Sequence, residues 1–167
     1  IAGDPTEGAL VVSAAKAGLV KEKLDARFKR VDEVPFDSKR KLMSTIHTVG
    51  SKKIMYTKGG PDIILGLCDQ SYVNGRVRKI TANDRKKIEK ANSDFASEAL
   101  RVLGFAYKPV KGKDKSEKKL IFVGLQAMID PPRPEVKMAI DRCEHAGIRV
   151  AMITGNHKLT PVAIAKY

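Results

Sequence analysis

MSTIHTVGSKKIMYTKGGPDIILGLCD (Met43–Asp69) decides the fold of this chain. MSTIHTV and KIMYTK each read as a short strand, and Gly50-Ser51 between them supplies the turn. Such a short connection makes the pair antiparallel. Gly59-Gly60 then breaks the extended run, and Pro61 suits the first position of a short helix over PDIILGLCD. Upstream, GDPTEGALVVSAAKAGL opens with turn chemistry and places Leu10, Ala14, Ala17 and Leu19 on one helical face. Asp4 or Thr6 can cap that helix, with Pro5 and Glu7 in its first turn. Downstream, Asn74-Gly75 sits between two β-like runs in SYVNGRVRKI, a strong hairpin signal. Thr81 with Asp84 three residues on predicts a capped helix reaching Ser97 or Leu100. VLGFAYKPV and LIFVGLQAMI are two further strands. The lysine-rich KGKDKSEKK between them is expected to be a solvated, mobile loop.

After Gln126 the pattern changes. AMIDPPRPEVKMAIDRCEHAGIRVAMITGN reads as strand, proline-rich turn, helix, glycine turn and strand, a βαβ rhythm that implies a parallel sheet. The expected fold class is therefore an α+β domain, an antiparallel sheet flanked by helices, over residues 1–126. A partial α/β unit follows over 127–167.

The bulk numbers suit a domain with a core: 43% hydrophobic and 31% charged residues in 167. Thirty-two Lys and Arg against 19 Asp and Glu give a formal charge of +13. That excess attracts polyanions, so a basic nucleic-acid-binding domain is the alternative reading. Its aromatic-basic ladder, helix-turn-helix and zinc patterns are all missing. Cys68 and Cys143 stand far apart in helix-like contexts and read as packing residues, and the three histidines show no ligand spacing. No run approaches a membrane span, so the chain is expected to be soluble.

Three stretches are compatible with phosphate or nucleotide. Lys58-Gly59-Gly60-Pro61 joins a charged tip to a backbone that a ligand can approach closely, though alone it reads first as a strand-to-helix turn. PFDSKRKLMS places Phe36, Lys41 and Met43 together, an aromatic face, an ammonium and a thioether suited to adenine, though alone such apolar residues are more often core. MITGN ends a strand in a turn before KLTPVAIAKY resumes as a helix, an arrangement that presents backbone N–H groups to an anion.

Taken in order, GDPTEGAL, FDSKRKLMS, KGGPD, ALRVLGFA, DPPRPEV and MITGN-HKLT resemble the signature blocks of the P-type cation-transporting ATPases, in the type II branch that includes calcium pumps. The resemblance spans nearly the whole chain. It implies that residues 1–126 are most of a nucleotide-binding domain, truncated at its N-terminus. Residues 127–167 would begin a phosphorylation domain of haloacid-dehalogenase-like fold. Glu7 would lie near the adenine amino group, and Phe36 would stack on the ring. Lys41 and Met43 would line the same pocket, Lys58 and Gly59 would form its floor, Arg101 would reach the phosphates, and Leu103 would flank the ring. Asp130 and Arg133 would be hinge residues. Thr154, Gly155 and Asn156 would form the loop that meets the γ-phosphate.

The implied cofactors are ATP, with Mg²⁺ in the parent protein. The implied partners are the remaining phosphorylation, actuator and transmembrane domains of a cation pump, with no nucleic acid. The chain would be a cytoplasmic part of an integral membrane protein. The family's phosphorylated DKTGT aspartate and its GDGxNDxP motif do not occur in this sequence, so nucleotide binding without turnover is expected of the chain, and it carries no catalytic or metal-ligating residue of its own. Asn156 stands where the family has aspartate, keeping the size and losing the charge. Pro161 takes the place of a small residue.

Overall fold

The structure, a computed structural model, describes residues 4–112, 114–129, 133 and 135–151. Among the described residues, seven strands form one sheet in the order β1-β2-β3-β6-β7-β4-β5. They are β1 Arg30–Asp37, β2 Leu42–Val49, β3 Lys52–Gly59, β4 Cys68–Val73, β5 Arg76–Lys79, β6 Arg101–Val110 and β7 Leu120–Met128. Five helices accompany them: α1 Pro5–Lys16, α2 Lys21–Arg27, α3 Pro61–Leu67, α4 Ala82–Ser97 and α5 Val136–His145.

The hairpin expected from the sequence is β2–β3, in unbroken antiparallel register from Leu42↔Gly59 to Val49↔Lys52. The Asn74-Gly75 hairpin forms as β4–β5, with φ of 50° and 79° at the two turn residues, as a type I′ turn demands. The expectation of a wholly antiparallel sheet needs correction. β4 runs parallel to β7, pairing Cys68 with Leu120 and Ser71 with Phe122, so the sheet is mixed. The reason is α3, which carries the chain across β6 and β7 before β4 begins.

The charged stretch around residues 20–34 holds α2 and most of β1, neither of which has a legible hydrophobic period. β1 is an edge strand with only Val34 half-buried. β7 stays paired with β6 to its last residue, with Ala127 opposite Val102 and Met128 opposite Arg101. The division expected at 126–127 thus falls inside a strand. α5 matches the helix expected after the proline turn. The strand expected beyond it runs past the described residues: Ile148–Ala151 show no regular structure.

The core lies between the sheet and the α3–α4 pair. Leu42, Ile64, Leu65, Cys68, Ile80, Ala106, Leu120 and Phe122 are buried together. Cys68 donates its thiol to the Ile64 carbonyl at 3.1 Å, and burial pushes its pKa up to about 12. It is a packing residue, as its sequence context suggested. Arg85 of α4 donates to the carbonyls of Leu65 and Cys68 at 2.7 and 2.6 Å, tying α4 to the end of α3.

The lysine-rich segment 111–119 is not simply a solvated loop. Asp114 meets the largely buried Lys108 at 2.8 Å, Lys115 meets Asp32 at 2.7 Å, and Glu117 pairs with Arg40. Glu117 also accepts from the buried Ser44 hydroxyl at 2.7 Å. Residues 114–119 are a strap over the β1–β2 side of the sheet, on the same face as α3 and α4.

α4 begins with the capping box read from the sequence. Thr81 Oγ1 accepts from the Asp84 N–H, and the Asp84 carboxylate accepts from the Thr81 N–H. Arg78 adds a two-pronged contact to Asp84. Arg78 first, then Thr81, hold the Asp84 carboxyl far below its ordinary value. A depressed folded-state pKa contributes stability above the ordinary carboxylate range and loses it as pH falls. Thr81→Ala should therefore cost about 1 kcal/mol in chemical denaturation at pH 7. Asp84→Asn should lower the melting temperature at pH 7, with the gap to the unsubstituted chain closing steadily below pH ~4.

Candidate functional site

Opposite α3 and α4, the other face of the sheet carries an open cavity, the candidate site. Residues paired across an antiparallel ladder point to the same side. Met43, Lys58, Phe105 and Gly124 are successive partners across β2, β3, β6 and β7. Thr45, Tyr56 and Tyr107 make the next row. These two rows line a cavity of about 620 Å³, together with Glu7 of α1, Arg30 of β1, and Val123, Leu125 and Gln126 of β7. In size and mixed lining it suits a small organic ligand.

α1 lies over one side of this face and is fixed by polar contacts. Glu7 and Lys58 pair at 2.5 Å, Arg101 donates to Thr6 Oγ1 at 2.9 Å, and Gln126 donates to Ser13 Oγ at 2.9 Å. Asp4 caps the helix, accepting from the N–H groups of Thr6 and Glu7 at 2.8 and 3.3 Å. Its carboxyl is held below the ordinary value by the Thr6 hydroxyl first and by those N–H groups next, with Arg101 contributing. The run Asp4-Pro5-Thr6-Glu7 therefore caps, starts and docks the helix in four consecutive residues. Tyr56 is pushed above its ordinary pKa by burial and then by Tyr107, so its phenol remains a neutral donor at neutral pH.

The β1–β2 turn lies at the end of the β2–β3 ladder, beside Gly59 and outside the cavity lining. Asp37 Oδ1 accepts from the N–H groups of Lys39 and Arg40 at 2.7 and 3.0 Å, and these lower its pKa, Arg40 foremost. Lys41 takes a left-handed conformation, φ 55°, which returns the chain into β2. Its carbonyl accepts from the Gly60 N–H at 3.0 Å. Gly59 lies directly beneath: a Cβ there would sit 2.5 Å from the Lys41 oxygen and 2.6 Å from Leu42 Cβ. Two ladder irregularities flank the site. One is between Val34 and Asp37, and the other makes Val123 an extra residue opposite the Phe105–Ala106 step.

Of the residues singled out from the sequence, Glu7, Met43 and Lys58 line the cavity. Gly59 is buried behind it as a spacer, and Arg101 is bound to the start of α1. Leu103 lies on β6, two residues from the lining Phe105 and so on the same side of the strand. Phe36 and Lys41 do not line it. Phe36, at the β1 irregularity, is 63% exposed, and Lys41 is exposed on the turn. Arg133 is exposed. Asp130, Thr154, Gly155 and Asn156 lie outside the described residues. Sequence reasoning missed Arg30, Thr45, Tyr56, Phe105, Tyr107 and Gly124. The alternation in β2, β3 and β6 offered the signal, since every second residue from Met43, Lys58 and Phe105 shares their face.

The family profile described as "P-type ATPase, cytoplasmic domain N" matches residues 1–135. The chain belongs to this family. It is 44% identical over 169 residues to a protein named Calcium-transporting ATPase 1 from Lactococcus lactis, an alignment that covers 98% of this chain and 19% of that protein. It is 46% identical over 168 residues, with the same two coverages, to Calcium-transporting ATPase 1 from Bacillus cereus. It is 43% identical over 172 residues to Cation-transporting ATPase pma1 from Synechocystis, covering 99% of this chain and again 19% of the relative. This N-domain chain thus spans about a fifth of the length of the relatives it matches, and the comparisons give the nucleic-acid alternative no support.

The close approach at Gly59 makes a direct prediction. Gly59→Ala places a methyl against backbone rather than against a side chain that can swing away. It should cost about 1–3 kcal/mol in denaturant melts. Gly66→Ala, in open space within α3, should cost nothing or stabilise.

Proposed function

We propose that the open face of the sheet binds ATP, and that the chain serves as the nucleotide-binding part of a cation-transporting P-type ATPase. Calcium is the cation favoured by the names of its relatives. One observation carries the reading. The cavity pairs an apolar and aromatic floor with a cation at its rim, and a side-chain-sized gap is left at Gly124. A Cβ built on Gly124 meets nothing within 4 Å. Adenine is flat and apolar on its faces, so Met43 and Phe105 suit it, while Thr45, Glu7 and Gln126 supply hydrogen bonds to its edges. Lys58, Arg101 and Lys41 provide positive charge for the phosphates.

Lys58 and Glu7 neutralise one another in the structure, and an incoming triphosphate competes with Glu7 for the ammonium. Phe36 stands exposed at the β1 irregularity and would supply the stacking ring that the resemblance implies. Mg²⁺ would accompany the phosphates and offset their charge when bound. The chain's part in catalysis is to bind and orient the nucleotide. Transfer of the γ-phosphoryl group to an aspartate, and the coupled ion movement, belong to other parts of the parent. In this reading residues after Met128 lead through Asp130 and Arg133 into a haloacid-dehalogenase-like phosphorylation domain. There Thr154, Gly155 and Asn156 approach the γ-phosphate, and the chain works on the cytoplasmic side of a membrane. Alone, it binds ATP without turning it over.

Titration of the ¹⁵N-labelled chain with ATP tests the reading, with GTP and duplex DNA as controls. The expected Kd is about 0.1–1 mM, with shifts centred on Glu7, Met43, Lys58 and Phe105. Gly124→Leu should fill the gap, weaken ATP at least about tenfold and leave the melting temperature close to that of the unsubstituted chain. Full affinity in Gly124→Leu would place the nucleotide elsewhere. A response to DNA alone that weakens steeply with salt would favour the polyanion reading.

A further inference from the structure

Residues 114–119 of the strap reach the β1–β2 turn, which lies outside the cavity. Glu117 is the residue that makes the contact. Its side chain is 13% exposed, among the least exposed of the charged side chains in the ion pairs. One carboxylate oxygen takes the Arg40 guanidinium, and the other accepts from Ser44 Oγ at 2.7 Å. Ser44 in turn shares a hydrogen bond with Thr57 of β3 at 2.8 Å, so the carboxylate is anchored to two strands of the sheet. Arg40 uses its other nitrogen to donate to the Pro35 carbonyl at 2.6 Å.

Pro35 and Arg40 bracket the turn that carries Phe36 and Lys41. Within the turn, Asp37 accepts from the Lys39, Arg40 and Lys41 N–H groups, and the Lys41 carbonyl accepts from the Gly60 N–H. The turn includes a left-handed lysine and follows a ladder irregularity, so its local geometry is not fixed by regular strand pairing. Arg40 closes it across the base, and Glu117 holds Arg40 there. A guanidinium can bridge a carboxylate and a carbonyl at once, which a lysine ammonium does with less defined geometry.

We propose that Glu117 is a positioning residue for nucleotide binding: through Arg40 it fixes the turn that presents Phe36 and Lys41 to the ligand. Glu117 lies on the helix-bearing side of the sheet and touches no part of the cavity. This rests on the nucleotide reading given above. It assigns a task to a lysine-rich segment whose composition suggests only solvation.

The test uses the 167-residue chain with Glu117→Gln, Arg40→Lys and the double variant, and with Ile88→Ala as a control. Ile88 packs against the core from α4, so its truncation lowers stability without reaching the turn. ATP affinity by NMR titration should fall about fivefold in Glu117→Gln and in Arg40→Lys. The double variant should fall by no more than either single one, because both break the same contact. Without ATP, the Lys39, Arg40 and Lys41 amides should shift and exchange faster in the Glu117 and Arg40 variants. In Ile88→Ala both the affinity and those amides should stay as they are, despite a lower melting temperature.

Unchanged Lys39–Lys41 amides in Glu117→Gln overturn the proposal whether or not ATP binds. So does unchanged ATP affinity in that variant, and so does an equal loss of affinity in Ile88→Ala, which would make the effect one of general stability. If the unsubstituted chain itself fails to bind ATP, the nucleotide reading falls and the positioning role falls with it, an outcome visible before any variant is made.

Discussion

Two glycines that face each other across β3 and β6 set how closely the rest of the molecule can assemble. Gly59 and Gly104 are ladder partners at one end of the sheet. Above Gly59 passes the Lys41–Leu42 backbone, and against Gly104 lie Pro61 and Ile64 of α3, with a notional Cβ 3.1 Å from Pro61 Cα. Side chains at these positions would push the turn and the helix away from the sheet. Without them the β1–β2 turn and α3 converge on the same point. Leu42 and Ile64 then join one core, and Lys58 stands at the edge of the open face. The site is a consequence of this close packing on its reverse side.

The division of labour between the two faces follows. The helix-bearing face takes Ser44, Thr57, Ala106 and the large aliphatic side chains. There Ser44, Thr57 and Glu117 satisfy one another. The opposite face presents Met43, Lys58, Phe105 and Tyr107 to the cavity, with α1 clipped beside them by contacts to Lys58, Arg101 and Gln126. Alternation along β2, β3 and β6 is what separates the two roles. A single-residue slip of register would exchange them.

This explains what could be read in advance and what could not. β2, β3 and the β4–β5 hairpin announce themselves through Gly50-Ser51 and Asn74-Gly75, and α4 through Thr81 and Asp84, because turn and cap chemistry is local. β1 does not: it is exposed on nearly every residue, and its one half-buried side chain gives no period. The parallel contact of β4 with β7 joins segments with α4, β5 and β6 between them, and no local pattern encodes that. In the site, Glu7, Met43 and Lys58 were legible because their motifs are. Gly124 was not, since its importance is an empty volume created by strands from both halves of the chain. The strap was legible only in part, for a related reason. Composition reports that 111–119 is charged, and only the fold supplies Arg40, Ser44, Lys108 and Asp32 as partners.

The placement of β6 carries a consequence for how such a chain is born. β3 is complete at Gly59, but its neighbour on the far side begins only at Arg101, about 40 residues later. A ribosome adding ~5–20 residues per second leaves that strand edge unpaired for a few seconds. During this interval the β2–β3 hairpin is a template that another nascent chain could join. Lys52, Lys53 and Lys58 are spaced along the waiting strand, and neighbouring chains carry the same charges there. Mutual repulsion between copies guards the edge until the protein's own β6 arrives to cover it.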